Sequence, residues 1–366
     1  MDFSELKKYL ERLPADRQIP GCAMTVHLGR ETVFEDFVGT GRGSLYWMYS
    51  ATKLFTAVMY CRLLDQGKLR PEDRVSDYLP EYARLEIADA DGQRRPAKNP
   101  LLLEHLISMC GGLTYNIFDP LIREAKDRST RGIVREIAKM PLAGEPGEVY
   151  LYSLCHDVLA AVMETVTGVR YAELLRREII EPLGMKDTCF HPTPELEARF
   201  APQFRWAGEG KEPVPAVGNM FCFSDDYDSG GAGLCSTLED YVLLPEALAN
   251  GGRGRDGYPL LRPETVLKMT ENHIFGSRLA GFQQRWEHHR SYGYGLGVRT
   301  RMDQKDGSLC PVGEFGWDGA AGAYCLIDPK NHVSLFYVQH VLEMGPVFEE
   351  IHPRLRELAY GALQTE

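Results

Sequence analysis

The chain has 366 residues, 44% of them hydrophobic and 25% charged, and a formal net charge of −11. That length allows one large or two medium domains with a substantial core, and the composition is that of a soluble globular protein. The acidic balance argues against nucleic acid and anionic membranes as partners and disfavours strongly anionic substrates. The opening Met-Asp-Phe-Ser-Glu-Leu-Lys-Lys lacks the apolar stretch of a secretory signal, and no apolar run approaches a membrane span. Nine scattered cysteines, odd in number and without a C-x-x-C pair, fit reduced thiols in a cytoplasmic enzyme better than a disulfide framework or a zinc site.

In chain order, Leu6, Tyr9, Leu10 and Leu13 set a helical period behind Ser4, which is expected to cap it with Lys7 solvated. Residues 22–29 and 31–38 are β-like runs around Gly29-Arg30, a hairpin by pattern. Gly39, Gly41 and Gly43 form a loop before a short strand-like Leu45 to Met48. From Ser50 to Gly67 the run is apolar nearly all the way round, which predicts a buried helix. The middle reads as mostly helical, at 101–109, 117–126, 131–139, 153–167 and 171–180. From Gly230 the texture changes. Ser236 and Glu239 read as a capping box for a helix that ends at Asn250-Gly251-Gly252, and another helix starts at Pro263. Strands are expected at 292–299, 321–327 and 333–340, and a closing helix near 347–362. The expected fold is α/β (α+β). Residues 1–75 and 230–366 share one antiparallel sheet flanked by helices, residues 76–229 form a mostly helical insert, and the cleft lies between the two.

Three stretches carry chemistry. Ser50-Ala-Thr-Lys53 puts a hydroxyl and an amine on one face at the mouth of a buried helix, where the dipole favours developing negative charge and the amine can take the hydroxyl proton. The same S-x-x-K spacing at Ser4 and Lys7 lies in an ordinary amphipathic helix, so context singles out Ser50, for which a capping role is the rival reading. Tyr152 stands at the head of a helix after the Pro146-Gly147 turn, where it could relay a proton or simply be a core tyrosine beside a capping Ser153. Phe315 to Gly322 is rich in small residues before a strand. A free N–H there could serve as an oxyanion donor, or the stretch could be a plain glycine-rich bend.

As a set these stretches resemble the serine β-lactamase and penicillin-binding superfamily, and within it the class C β-lactamase-like, family VIII carboxylesterase branch. Ser50 and Lys53 match its S-x-x-K, Tyr152-Ser153-Leu154 sits at its Y-x-N, and Trp317-Asp318-Gly319 sits at its K-T-G. Leu102 to Leu113, Glu181 to Thr188 and Gly230 to Asp240 are similar too, so the resemblance covers roughly residues 15 to 340. It implies a β-lactamase/transpeptidase-like fold, Ser50 as the acylated nucleophile, Lys53 and Tyr152 as its proton carriers, and the backbone N–H groups of Ser50 and Ala320 as oxyanion hole. It implies no metal or organic cofactor.

The departures bear on the substrate. Leu154 replaces an amide, Trp317 replaces the cation that would bind a β-lactam or peptide carboxylate, and Asp318 adds a negative charge. With Trp317, Asp318, Gly319 and Leu154 as the substrate-binding set, the expected activity is a carboxylesterase on small uncharged esters. Rival readings are an acyltransferase, a D-amino-acid peptide amidase or weak β-lactamase, and a catalytically inactive ligand-binding relative. The remaining candidates read blandly. Ser153, His156 and Asp157 fall on one helical face that does not readily make a triad, and Asp225, Asp226 and Asp228 suggest a solvated loop. His288 and His289 show no ligand spacing, and no G-x-S-x-G elbow exists.

Overall fold

The computed structural model describes residues 1–89 and 91–364, the side chain of Glu287 excepted. Its centre is a seven-stranded sheet built from the two ends of the chain. β1 (Cys22–Leu28) and β2 (Glu31–Val38) form the expected hairpin, turned by Gly29 at φ 61°. The others are β3 (Tyr292–Tyr294), β4 (Arg299–Arg301), β5 (Phe315–Gly316), β6 (Tyr324–Asp328) and β7 (Val333–Gln339), in the spatial order β2-β1-β7-β6-β5-β4-β3. Every neighbouring pair is antiparallel.

Both faces of the sheet are covered, which is why β1, β6 and β7 read as continuous apolar runs rather than alternating ones. On one face α1 (Ser4–Arg17) and the closing helix pack Leu6, Leu10, Leu13 and Leu355 against Met24, Val26, Leu326 and Leu335. On the other, α2 (Thr52–Asp65), α3 (Cys155–Thr167) and α4 (Leu243–Ala249) join Ala23, Ile327, Phe336 and Val338 in a second cluster. Residues 76–229 add short helices around α3 but no strand to this sheet. α5 (Ser277–Arg285) and α6 (His352–Gln364) complete the main helices.

Several elements differ from expectation for local reasons. Residues 292–299 are not one strand: the chain reverses at Gly297 (φ 80°), so β3 pairs antiparallel with β4. A side chain at Gly297 would meet Ala57, Ile107 and His156, and the reversal is pressed against α2 and α3. The capping box slides by one residue: Thr237, not Ser236, accepts the Asp240 N–H at 3.1 Å, and Glu239 instead accepts Gly43 N–H at 3.0 Å. Ser4 caps nothing; its N–H donates to Asp2, and Lys7 pairs with Asp36 and Glu11. The helix expected at 117–126 shrinks to Pro120–Arg123, and α5, whose only buried residue is Phe282, was not anticipated.

One buried ion pair clamps a helix to the sheet. Glu246 of α4 accepts from His27 of β1 at 2.7 Å and from Arg255 at 2.6 and 2.7 Å. Burial raises its carboxyl, but the bonds from Arg255 and His27 outweigh this and bring it down to about 2. A depressed folded pKa gives stability that is present above the unfolded value near 4.5 and lost as pH falls toward 2. Glu246→Gln is therefore expected to cost about 2–3 kcal/mol near neutral pH and to flatten the loss of stability between pH 4.5 and 2. Urea unfolding across that range would check both.

Candidate active site

The approach to Ser50 is a sharp one. Tyr46–Trp47 pairs with Cys235–Ser236, and then Tyr49 takes φ 46°, swinging the chain from strand to helix. The Tyr49 hydroxyl is held by Gln203 at 2.9 Å, which fixes this left-handed residue in place. A single 3₁₀ turn, Tyr49–Ala51, leads into α2. Its first bond is Ala51 N–H to Met48 O, so the Ser50 N–H precedes the hydrogen-bonded ladder.

Lys53, one turn on, is wholly buried. Its Nζ lies 3.3 Å from Ser50 Oγ and donates to Gly231 O at 2.8 Å. It also sits over the rings of Tyr152 at 4.7 Å and Tyr115 at 5.6 Å, and among the described residues it forms no ion pair. Gly231 must be glycine for this approach, since a Cβ there would stand 2.7 Å from Asp157 Oδ2 and 3.3 Å from Nζ. Tyr152 stacks on Trp317 with ring centres 5.7 Å apart, and its hydroxyl accepts the Trp317 indole N–H at 3.3 Å.

The Trp317-Asp318-Gly319-Ala320 turn lies alongside. Gly319 is pressed on Met48, whose carbonyl oxygen a Cβ would strike, and its N–H donates to Ala323 O at 2.8 Å. Ala320 N–H has no backbone partner among the described residues, and the residue is exposed. Asp318 does not present a bare charge. Its carboxylate pairs with fully buried Arg299 at 2.8 Å and with His289 at 3.3 Å. Burial pushes the carboxyl up, but Arg299 and His289 together hold it well below the usual range.

These residues close around a cavity of about 340 Å³ lined by Ser50, Tyr115, Tyr152, Trp286, Trp317 and Phe348 among others. Among the described residues none of its lining side chains is Lys or Arg. A larger open depression of about 780 Å³ lies between residues 74–101 and 138–140, includes none of the motif residues, and is lined by charges of both signs. Of the sequence-derived set, Ser50, Tyr152, Trp317, Asp318, Gly319 and Ala320 line the smaller cavity and Lys53 stands behind Ser50. Leu154 does not: its side chain turns into the core.

No motif in the sequence marks the other wall residues, Tyr115, Trp286, His288 and His289 among them. Tyr115 faces Ser50, an interaction that offsets a little of the strong upward push burial gives its phenol. Trp286 meets Tyr152 edge-on at 5.3 Å, and His288 and His289 follow it into the cavity. Tyr115 opens the motif-free segment after Leu113, and the pair His288-His289 carries no spacing signal of its own.

The bland readings need amendment too. Ser153 does not cap α3; it is buried, with Cys155 Sγ at 3.1 Å. His156 is buried with both ring nitrogens unpartnered, and Asp157 accepts from Tyr227 and Ser229, so the three form no triad. Asp228 is not solvated. It is buried and holds Arg170 and His191 at 2.7 Å each.

Sheet, buried helix and Ser–Lys–Tyr cluster together fit a serine-hydrolase-type enzyme with a β-lactamase/transpeptidase-like fold. The Beta-lactamase family model matches residues 6–360, and the chain belongs to that family. A putative D-alanyl-D-alanine carboxypeptidase of Escherichia coli K12 is 27% identical, with 83% of this chain and 70% of that protein covered. Among solved structures, "EstCE1, a hydrolase with promiscuous acyltransferase activity" superposes with a TM-score of 0.80 at 22% identity, covering 98% of both chains. Simvastatin synthase (LovD) from Aspergillus terreus gives 0.82 at 21% identity over 100% of both. Among the described residues no helix is long and apolar enough to cross a membrane.

Because Arg299 is sealed against Asp318, Asp318→Lys would bury two cations together. It is expected to cost about 3–5 kcal/mol and lower the Tm sharply, rather than install an anion site. A thermal melt of the variant checks this.

Proposed function

We propose that the protein is a carboxylesterase acting on small uncharged esters through an acyl-enzyme on Ser50. The observation that carries the reading is the 3.3 Å Lys53–Ser50 contact at the edge of an aromatic cavity whose wall offers no cation. Ser50 Oγ attacks the ester carbonyl as its proton passes to Lys53 Nζ, and the Gly231 carbonyl and the two tyrosine rings receive the charge so formed. The backbone N–H groups of Ser50 and Ala320 hold the tetrahedral oxyanion. The C–O bond to the alcohol then breaks, and the alcohol leaves with a proton returned by Lys53 through Tyr152. Because the Tyr152 oxygen accepts from Trp317, its own proton is free to turn toward the leaving group. Water enters by the reverse route and releases the acid.

The wall supports the substrate class. A β-lactam or peptide carboxylate needs a fixed cation, and Trp317 stands where the superfamily has one. Arg299, the buried cation nearby, is already consumed by Asp318. An uncharged acyl group instead gains apolar contact with Tyr115, Tyr152, Trp286 and Trp317.

Intact mass after a fluorophosphonate probe, with peptide mapping, should show one adduct on Ser50 and none in Ser50→Ala. The variant should lose ester turnover by about 10³-fold or more with its fold intact. An adduct elsewhere, or unchanged turnover in Ser50→Ala, would remove the proposed nucleophile. Trp317→Lys should lower the KM of anionic acyl donors relative to neutral ones, by about tenfold for one new charge contact. An unchanged ratio would sink the account of the missing cation.

A further inference from the structure

Much of the cavity wall is aromatic, and Trp286, His288 and His289, which follow α5, bring two imidazoles to it. His289 is committed to Asp318. His288 is not committed: among the described residues its ring makes no hydrogen bond. Neither of its nitrogens is among the sealed, unsatisfied polar atoms, so both retain access to solvent. Its neighbours are rings, with centres at 4.2 Å to His289, 6.0 Å to Trp286 and 6.2 Å to Phe348. The cavity also carries two acids, but Asp318 is paired with Arg299 and Glu343 with Arg205. His288 is thus the one neutral hydrogen-bonding side chain left unspent on the part of the wall beyond the tyrosines.

We propose that His288 is a specificity determinant that hydrogen-bonds a neutral polar group, a hydroxyl or keto oxygen, on the acyl chain of the substrate away from the reacting carbonyl. This rests on the carboxylesterase reading and deepens it. The acyl side is assigned because the alcohol departs first and needs a route out, which half-exposed Met220 at the cavity edge provides. The acyl group stays through the second half of the reaction and is the part that the remaining wall at Trp286, His288 and Phe348 can hold. Burial, with His289 beside it, pushes the His288 imidazole down to about 4, so near pH 7 it is neutral and can both donate and accept. An ionised chain end would find no free counter-charge there, whereas a hydroxyl would find a partner. Trp286 spans the gap, with its ring 5.3 Å from that of Tyr152 and 6.0 Å from that of His288, so the polar group lies several carbons from the carbonyl.

The test uses the full chain and p-nitrophenyl esters from butyryl to octanoyl, each methyl-terminated ester matched with its hydroxyl-terminated isostere. The wild-type protein should prefer the hydroxyl member about five- to tenfold in kcat/KM at one or two chain lengths. His288→Phe should bring that ratio to about one, and His288→Gln should keep part of it. No preference at any length, or a preference that survives His288→Phe, overturns the proposal. A second comparison needs no turnover. In Ser50→Ala, binding of the matched methyl and hydroxyl ketones is read by quenching of tryptophan fluorescence, with and without His288→Phe. If Ser50 takes no probe and no ester is cleaved, the esterase reading fails on its own while the binding ratio still decides the role of His288.

Discussion

The site depends on how a lysine amine is kept satisfied where no water reaches it. Lys53 has no exposure and no carboxylate partner among the described residues, and an unsatisfied buried amine would cost several kcal/mol. Its partners are the Gly231 carbonyl, Ser50 Oγ and two aromatic faces. That need reaches into the sequence. Residue 231 has to lack a side chain, Asp157 beside it has to be quenched by Tyr227 and Ser229, and the 229–235 segment has to lie on α2. Leu234 N–H accordingly donates to Thr52 Oγ1 at 3.1 Å, and Leu234 O accepts Met48 N–H at 2.9 Å. A carboxylate in direct contact would have tied Lys53 into an ion pair; a carbonyl holds the amine in place beside Ser50 without one.

A second buried charge sets the character of the wall. Arg299, on the strand next to β5, reaches Asp318 and the Cys325 carbonyl, which fixes the turn carrying Trp317, Gly319 and Ala320. The turn's carboxylate is thereby spent on structure, and its tryptophan lines the cavity. The negative charge of Asp318 at the cavity wall is countered by Arg299. Apolar contact is therefore what the cavity offers over most of its surface.

How much of this was legible follows from where the constraints act. The hairpin around Gly29, the buried helix after Ser50 and the strands at 324–328 and 333–339 showed in the sequence because burial on both faces imposes a pattern that can be read locally. Ser50, Lys53, Tyr152 and the Trp317 turn showed because each sits at the junction of a patterned element with a turn. What could not be read is set by contacts distant in sequence. The break at Gly297 comes from packing on Ala57 and His156, and the pairing of Asp318 comes from Arg299 on the neighbouring strand. Asp228 looked solvated because its loop is polar, yet Arg170 and His191 bury it. Leu154 was placed in the site by register with a motif, and an apolar side chain at that position turned inward instead.

The same reasoning explains why the proposed chemistry was easier to see than the proposed specificity. The proposed nucleophile, proton carriers and oxyanion donors need rigid geometry and sit where turns meet patterned helices and central strands, whose sequences are periodic. The walls that distinguish one acyl group from another come from Tyr115, Met220 and the stretch from Trp286 to His289, all on irregular segments. α5 shows the consequence. With Phe282 its only buried residue, it has almost no apolar stripe to announce it, yet it delivers Trp286 and the two histidines to the cavity. An irregular segment anchored by one aromatic residue can change its wall residues without disturbing Lys53 or the sheet. Divergence in substrate within this architecture is therefore expected to concentrate there, while the cluster around Ser50 stays constrained by the amine it has to satisfy.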